Sequence, residues 1–194
     1  MAVRLSFQVA GDEVVGDLHL PRGTGPFQAV VVAGPMTSVK EQVTGAYAQA
    51  LAERGIAALA IDHRGFGESG GAPRQYEHYQ RKIEDLRAAL VALESRSEVD
   101  ADRMGLAGVC LGAGYAAHAS IGNPVVRALG LIVGYYRNPQ AMRADDPDGF
   151  DARVAQGRAA RERYETTGEV EMIPAVWQSG DAAMTTPELY DYYG

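Results

Sequence analysis

Apolar residues along this chain recur with two periods, and the switches between them mark out alternating strands and helices. Residues 3–9 and 14–20 alternate apolar with polar positions around Ala10-Gly11-Asp12, the pattern of an antiparallel hairpin at a sheet edge. A Gly/Pro-rich loop at 21–26 follows. Residues 29–33 are then continuously apolar and stop at Gly34-Pro35, as a central strand covered on both faces would. Residues 41–54 carry Val43, Tyr47, Ala50 and Leu51 at helical spacing and end at Gly55, which suits the position just past a helix.

A second unit repeats this order. Residues 56–61 read as a buried strand, 62–71 as a glycine-rich loop, and 79–95 as a helix turning Ile83, Leu86, Leu90 and Leu93 inward. Asp100-Ala101-Asp102-Arg103 reads as a turn that launches a small-residue strand, and the helix after that strand runs to about Ile121. Residues 128–133 form one more apolar strand, expected to be buried. Alternation of this kind implies parallel strands joined by right-handed crossovers, a three-layer doubly wound α/β fold with a mostly parallel sheet. Beyond Tyr135 the pattern changes: 145–149 reads as a loop, 150–166 as a charged amphipathic helix, and the remainder as an irregular, tyrosine-rich tail. The expected division is a core at 1–138 and a cap with tail at 139–194.

The candidate chemistry lies where the fifth strand meets its helix, in Gly108-Val109-Cys110-Leu111-Gly112. A strand that turns sharply into a helix while presenting one side chain at the tip forces that residue into a strained conformation, and small neighbours two positions away let the turn close. Cys110, the chain's only cysteine, occupies the tip, where the start of the following helix favours a thiolate nucleophile. The competing reading is a buried, inert cysteine packed as a small hydrophobe.

Composition narrows the field. With 194 residues, 46% of them hydrophobic, the chain can build one substantial core. No stretch approaches the ~18 uninterrupted apolar residues of a membrane span, and the Met-Ala-Val-Arg start lacks a signal-peptide pattern, so membrane insertion and export are not expected. A net charge of −7 without a basic stripe disfavours nucleic-acid binding. A single cysteine excludes an internal disulfide and fits a reducing compartment, with the cytoplasm as the expectation. No Cys/His cluster has metal-ligand spacing, and neither a metal nor a cofactor is expected.

With these pieces in order the chain resembles the dienelactone hydrolase-like branch of the α/β-hydrolases, most closely its members grouped with fungal polyketide transferases. The residues that carry the resemblance are Gly34-Pro35-Met36-Thr37-Ser38-Val39-Lys40-Glu41-Gln42, Asp62-His63-Arg64-Gly65-Phe66-Gly67-Glu68-Ser69-Gly70-Gly71, Val99-Asp100-Ala101-Asp102-Arg103, the elbow around Cys110, and Tyr164-Glu165-Thr166-Thr167-Gly168-Glu169. The resemblance implies acyl transfer from a small-molecule ester, lactone or thioester through a thioester on Cys110. It also implies an oxyanion site made by the backbone N–H groups of Leu111 and, from the turn after the third strand, Met36. Met36 reads equally well as a gap filler or pocket liner. Met36, Phe66, Tyr135, Tyr136 and Trp177 are candidate liners of the substrate site, and each could instead be a core or cap residue.

The chain departs from the pattern after the elbow. In this fold an acid and then a histidine follow the nucleophile, yet the only later histidine is His118, eight residues on and inside the elbow helix. Three accounts follow: a second polypeptide or C-terminal fragment completes the sheet and supplies Asp/Glu and His; the chain is an inactive truncated product; or a base is recruited from the residues present. For the last, His63 is best placed, because it opens the loop after the fourth strand, although the same loop reads well as architecture. His19 and His78 are poorer candidates, and Glu41 reads as a helix-end residue that could alternatively hold the thiol. A sheet ending at 128–133 would leave a hydrophobic edge, so a second chain, a copy in a homo-oligomer or the chain's own tail is expected to cover it. Two function classes therefore stand side by side, a cysteine-dependent hydrolase or acyltransferase and a non-catalytic binding subunit that keeps the elbow as architecture. A peptidase has less support, since nothing encodes a gating domain.

Overall fold

The computed structural model describes residues 2–177 and 182–184. The chain forms two compact units, 1–136 and 137–194. Part of the expected tail, residues 178–181 and 185–194, lies outside the described residues.

The first unit is a six-stranded sheet in the order β1-β2-β4-β3-β5-β6. β1 (Ala2–Val9) and β2 (Asp12–His19) form the expected antiparallel hairpin. Ala10 and Gly11 at its tip have φ of +50° and +90°, the left-handed pair that a tight two-residue turn requires. β3 (Phe27–Ala33), β4 (Ala57–Ile61), β5 (Val99–Val109) and β6 (Val126–Ile132) are parallel to one another. α1 (Val43–Ala52) lies on one face, where Ala48 packs with Val32, Ala58 and Ala60. α2 (Tyr79–Glu94) and α3 (Leu111–Ser120) cover the other, where Leu86, Leu90 and Leu93 join Leu18, Leu59 and Leu106. Each of these leucines is at most 1% exposed, and burial of one such side chain is worth about 2 kcal/mol.

The expected turn at residues 100–103 sits inside β5. Its pairing with β3 jumps from Phe27↔Val99 to Ala29↔Met104, so residues 100–103 stand opposite Gln28 alone and three extra residues bulge out of the ladder. Asp100 closes the bulge by accepting from the Asp102 amide at 3.0 Å and from Arg103 Nε at 2.6 Å.

β6 corrects a further expectation. It pairs with β5 as read, but residues 127–131 are exposed rather than buried. β6 is the last strand of the sheet, and α1 lies over β3 and β4, leaving an open groove of about 460 Å³ bounded by Val30, Leu51, Ala107, Ala128 and Gly130.

In the second unit, α4 (Pro139–Asp145) was not expected, and α5 (Pro147–Thr167) begins three residues earlier than the reading at 150. The stretch read as a loop, 145–149, is instead the end of α4 and the start of α5, where Asp146 caps α5 by accepting from the Gly149 amide and Pro147 opens the helix; α4 begins in the same way, with Asn138 accepting from the amides of Gln140 and Ala141 ahead of Pro139. No residue of α5 is buried, although Phe150, Val154 and Tyr164 along it are partly covered. No helix among the described residues is long and apolar enough to cross a membrane.

Candidate active site

β5 delivers Cys110 to the carboxyl end of the parallel strands, and α3 leaves from the next residue. Cys110 has φ +55° and ψ −122°, a combination at home in the first central position of a type II′ turn, where glycine is the usual occupant. The thiol is half-buried. Close approach of backbone explains the two glycines around it. A Cβ on Gly108 would stand 2.3 Å from the Gly112 carbonyl oxygen, and one on Gly112 would stand 2.4 Å from the Gly34 oxygen and 2.6 Å from that of Ala33. The second contact also shows that the turn after β3 is pressed against the first turn of α3.

That turn runs through Pro35, Met36 and Thr37. Met36 is half-buried, and Thr37 is held at φ +61°. Leu111, the other expected oxyanion donor, is the first residue of α3, where backbone N–H groups have no acceptor within the helix. The Thr37 amide donates to Glu77 Oε2 at 2.9 Å. Glu77 Oε1 in turn accepts from the Tyr115 hydroxyl of α3 at 2.8 Å and lies 2.7 Å from Lys82 Nζ. Burial disfavours the Glu77 carboxylate, but Lys82, the Thr37 amide and the Tyr115 hydroxyl outweigh it and hold the carboxyl below its ordinary range. The Lys82 ammonium, itself pushed down by burial, lies 4.3 Å from the Phe66 ring centroid and 5.8 Å from that of Tyr115.

Among the expected liners, three gather at the elbow. Met36 belongs to the turn just described, the Tyr135 amide donates to the Cys110 carbonyl at 3.1 Å, and Tyr136 lies against Gly134 and within 3.9 Å of a Cβ built on Gly114. Phe66 is 2% exposed beneath Lys82, so it belongs to the core. Trp177 lies in the second unit, where its amide donates to the Met184 carbonyl.

The histidines are committed elsewhere. His63 is buried, with Nδ1 3.1 Å from Asp85 Oδ2, and burial pushes its pKa below the ordinary value despite that partner. Asp85 also accepts from the Arg64 amide and Nε, so the Asp62-His63-Arg64 segment is riveted to α2 rather than presented to a substrate. His78 caps α2 by accepting from the Arg81 amide. His118 is exposed in the last turn of α3, about 12 Å along the helix from Cys110. His19 pairs with Ala58 at the start of β4, the end of the sheet opposite the elbow.

Glu41 pairs with Lys40. Carboxylate oxygens of Glu41, Asp62 and Glu68 converge within 4.8 Å, and the Lys40 ammonium sits among them, 3.2 Å from Asp62 Oδ2. Burial works against that charge, yet the hydrogen bonds to Glu41, Glu68 and Asp62 raise the pKa of Lys40 well above its ordinary value. Asp62 also accepts from the Lys40 and Glu68 amides, which fixes the loop after β4.

The residues missed by sequence reasoning are Thr37, Glu77, Lys82 and Asp85. One signal was present: Lys82 and Asp85 fall on the same helical stripe as Leu86, Ala89 and Leu93, so two charged residues were destined for the buried face.

A mostly parallel sheet of this order, with a sharp strand-to-helix turn at Gly-x-Cys-x-Gly, defines an α/β-hydrolase fold. The sequence model of the family described as serine aminopeptidase, S33, matches residues 41–142, more than half of the chain, and the chain belongs to that family. Where that description names a serine enzyme, this chain has Cys110 at the elbow. It is 36% identical over 177 residues to the uncharacterized protein YcjY of Escherichia coli K12, covering 88% of this chain and 58% of the relative. To the thiohydrolase aneE of Aspergillus aculeatus it is 34% identical over 182 residues, covering 91% and 55%. The crystal structure of the Pseudomonas aeruginosa hypothetical protein PA2218 superimposes with a TM-score of 0.83 at 30% identity, covering all of this chain and 63% of that one. The chain thus spans between half and two thirds of the length of these relatives.

Proposed function

We propose that this chain carries the nucleophile of a cysteine-dependent α/β-hydrolase, of the dienelactone hydrolase-like and polyketide transferase-like branch, acting on a small ester, lactone or thioester. The observation that carries the reading is the strained thiol position, a non-glycine residue at φ +55° in the elbow between two glycines that admit no side chain. Strain of this kind costs about 1–3 kcal/mol and persists where the direction of the side chain is used. In the proposed reaction the Cys110 thiolate attacks the substrate carbonyl, a C–S bond forms, and the carbonyl electron pair moves onto oxygen. The Leu111 and Met36 amides stabilise that oxyanion. Collapse breaks the bond to the leaving group and leaves a thioester, which water or another acceptor then cleaves. The thiohydrolase name of the Aspergillus relative supports thioesters within this class.

Deacylation needs a general base, and the four histidines of the chain are held away from the thiol or buried. The base and the acid that orients it therefore come from polypeptide outside this chain, a second chain or a C-terminal portion, which would also cover β6. A cytoplasmic setting keeps the lone thiol reduced.

Acylation without turnover is the expected behaviour. The chain, mixed with p-nitrophenyl acetate, should release a stoichiometric burst of p-nitrophenolate and carry the acetyl group on the Cys110 peptide, and Cys110→Ala should abolish both. A chain that shows no burst and takes up iodoacetamide only on unfolding would be a non-catalytic subunit, and the reading would be withdrawn.

A further inference from the structure

We infer that Glu77 is a positioning residue for oxyanion stabilisation: its carboxylate ties the strained Met36-Thr37 turn to the elbow helix and so sets the spacing of the Met36 and Leu111 amides. The inference rests on the reading above and extends it to a residue in a loop remote in sequence from both donors.

Three observations carry it. Thr37 sits in the left-handed region, which a β-branched residue adopts only when its surroundings impose it, and its N–H is fixed by Glu77 Oε2 at 2.9 Å. The other oxygen of the same carboxylate accepts from Tyr115, four residues into α3 beyond Leu111, at 2.8 Å. The Gly34 carbonyl meanwhile abuts Gly112, so backbone contact fixes one end of the turn against the helix and Glu77 fixes the other. Lys82 keeps the carboxylate charged and in place, 2.7 Å from Oε1, over the Phe66 and Tyr115 rings. One carboxylate thereby bridges the two segments that supply the donors. Glu77 touches no reacting atom in this arrangement and acts through Thr37 on the neighbouring Met36 amide.

The test compares two reactions of the same sulfur. Acetylation by p-nitrophenyl acetate passes through a tetrahedral oxyanion. Alkylation by iodoacetamide is a displacement at a CH2 group, in which iodide leaves and no carbonyl oxygen gains charge. Glu77→Asp keeps the charge that pairs Lys82 but withdraws the carboxylate by about 1.5 Å from Thr37. Glu77→Gln keeps the reach and an acceptor oxygen while losing the charge. For Glu77→Asp the acetylation rate should fall about tenfold to a hundredfold, with alkylation within about twofold of wild type. Glu77→Gln should acetylate faster than Glu77→Asp, although it is the less stable of the two because Lys82 loses its partner. A purely structural role would order both rates by stability, with Glu77→Asp nearer wild type. The inference is overturned if Glu77→Asp acetylates at the wild-type rate, or if both variants lose acetylation and alkylation in equal proportion. A wild-type chain that is alkylated but never acetylated removes the proposed reaction and this inference together, whereas a wild-type burst unchanged in Glu77→Asp removes this inference alone.

Discussion

Replacing Cys110 by alanine and by glycine measures the strain at the elbow directly. The two variants both lack the sulfur and differ only in a Cβ, so their difference in stability reports what that carbon costs at φ +55° and ψ −122°. At an ordinary helix or strand position glycine is the less stable of the pair by about 0.5–1 kcal/mol, because the unfolded chain gains freedom. Here the Cβ costs about 1–3 kcal/mol in the folded state, and the balance favours glycine by about 1 kcal/mol. For a chain of this length that difference raises the melting temperature by about 2–4 °C. Urea titrations of both variants, followed by far-ultraviolet circular dichroism, give the comparison, and equal slopes would show that the same surface is exposed in each. Alanine equal to or more stable than glycine would mean that the backbone relaxes without cost. Strain at Cys110 would then give no ground for a thiol whose direction is used.

Two further outcomes follow from the same geometry. Gly112→Ala places a Cβ against the Gly34 and Ala33 carbonyl oxygens, neither of which can swing aside, so it should destabilise the chain by about 3 kcal/mol and lower the melting temperature by about 10 °C; an unchanged melting curve would contradict the close approach. His63 is buried with its pKa lowered, so as pH falls below about 6.5 the unfolded chain takes up the proton first and stability is lost until the lowered folded value is reached. The stability read from urea titrations should decline from pH 7 downward, by at most about 1.4 kcal/mol per pH unit, and His63→Gln should flatten that decline; a wild-type stability constant from pH 7 to about 5 would show that His63 titrates normally.

Much of this molecule was legible because its signals are local. Apolar runs at 29–33 and 56–61 could only be strands covered on both faces, and Gly55 marked the end of α1, where it takes φ +87°. Gly108 and Gly112 announced the elbow, since their function is to have no side chain. The features that are not legible depend on partners far away in sequence. Asp146-Pro147 reads as a loop from composition, and only the hydrogen bond to the Gly149 amide makes it a cap. Residues 128–133 are apolar enough for a central strand, but whether a strand is buried depends on what lies beside it, which is a property of the sheet. Glu77 sits in a polar stretch with no periodicity, and its meaning arises only when Thr37 and Tyr115 arrive from 40 positions before it and 38 after it. The roles of His63 and Glu41 are ambiguous in the sequence for the same reason, since Asp85 and Lys40, which occupy them, come from elsewhere in the fold or depend on its packing.

The strain around Cys110 is distributed, and its distribution explains why it persists. Five non-glycine residues among those described have positive φ, and three of them, Thr37, Cys110 and Val133, belong to segments that meet at the elbow. Each is restrained by a neighbour. The Cys110 amide donates to the Ile132 carbonyl at 3.1 Å, the chain reverses at Val133, and the Tyr135 amide returns to the Cys110 carbonyl at 3.1 Å, so the end of β6 brackets the backbone of the nucleophile candidate from both sides. The Ala113 amide donates to the same carbonyl. To relax, Cys110 would have to break backbone hydrogen bonds to α3 and to the segment after β6, each worth about 1 kcal/mol, and to move Gly112 off the Ala33 and Gly34 carbonyls. The combined loss is comparable with or larger than the strain relieved, so the thiol keeps its direction without help from its own side chain. That direction is consequently coupled to β6, the exposed last strand of the sheet, and whatever packs against β6 also acts on the elbow.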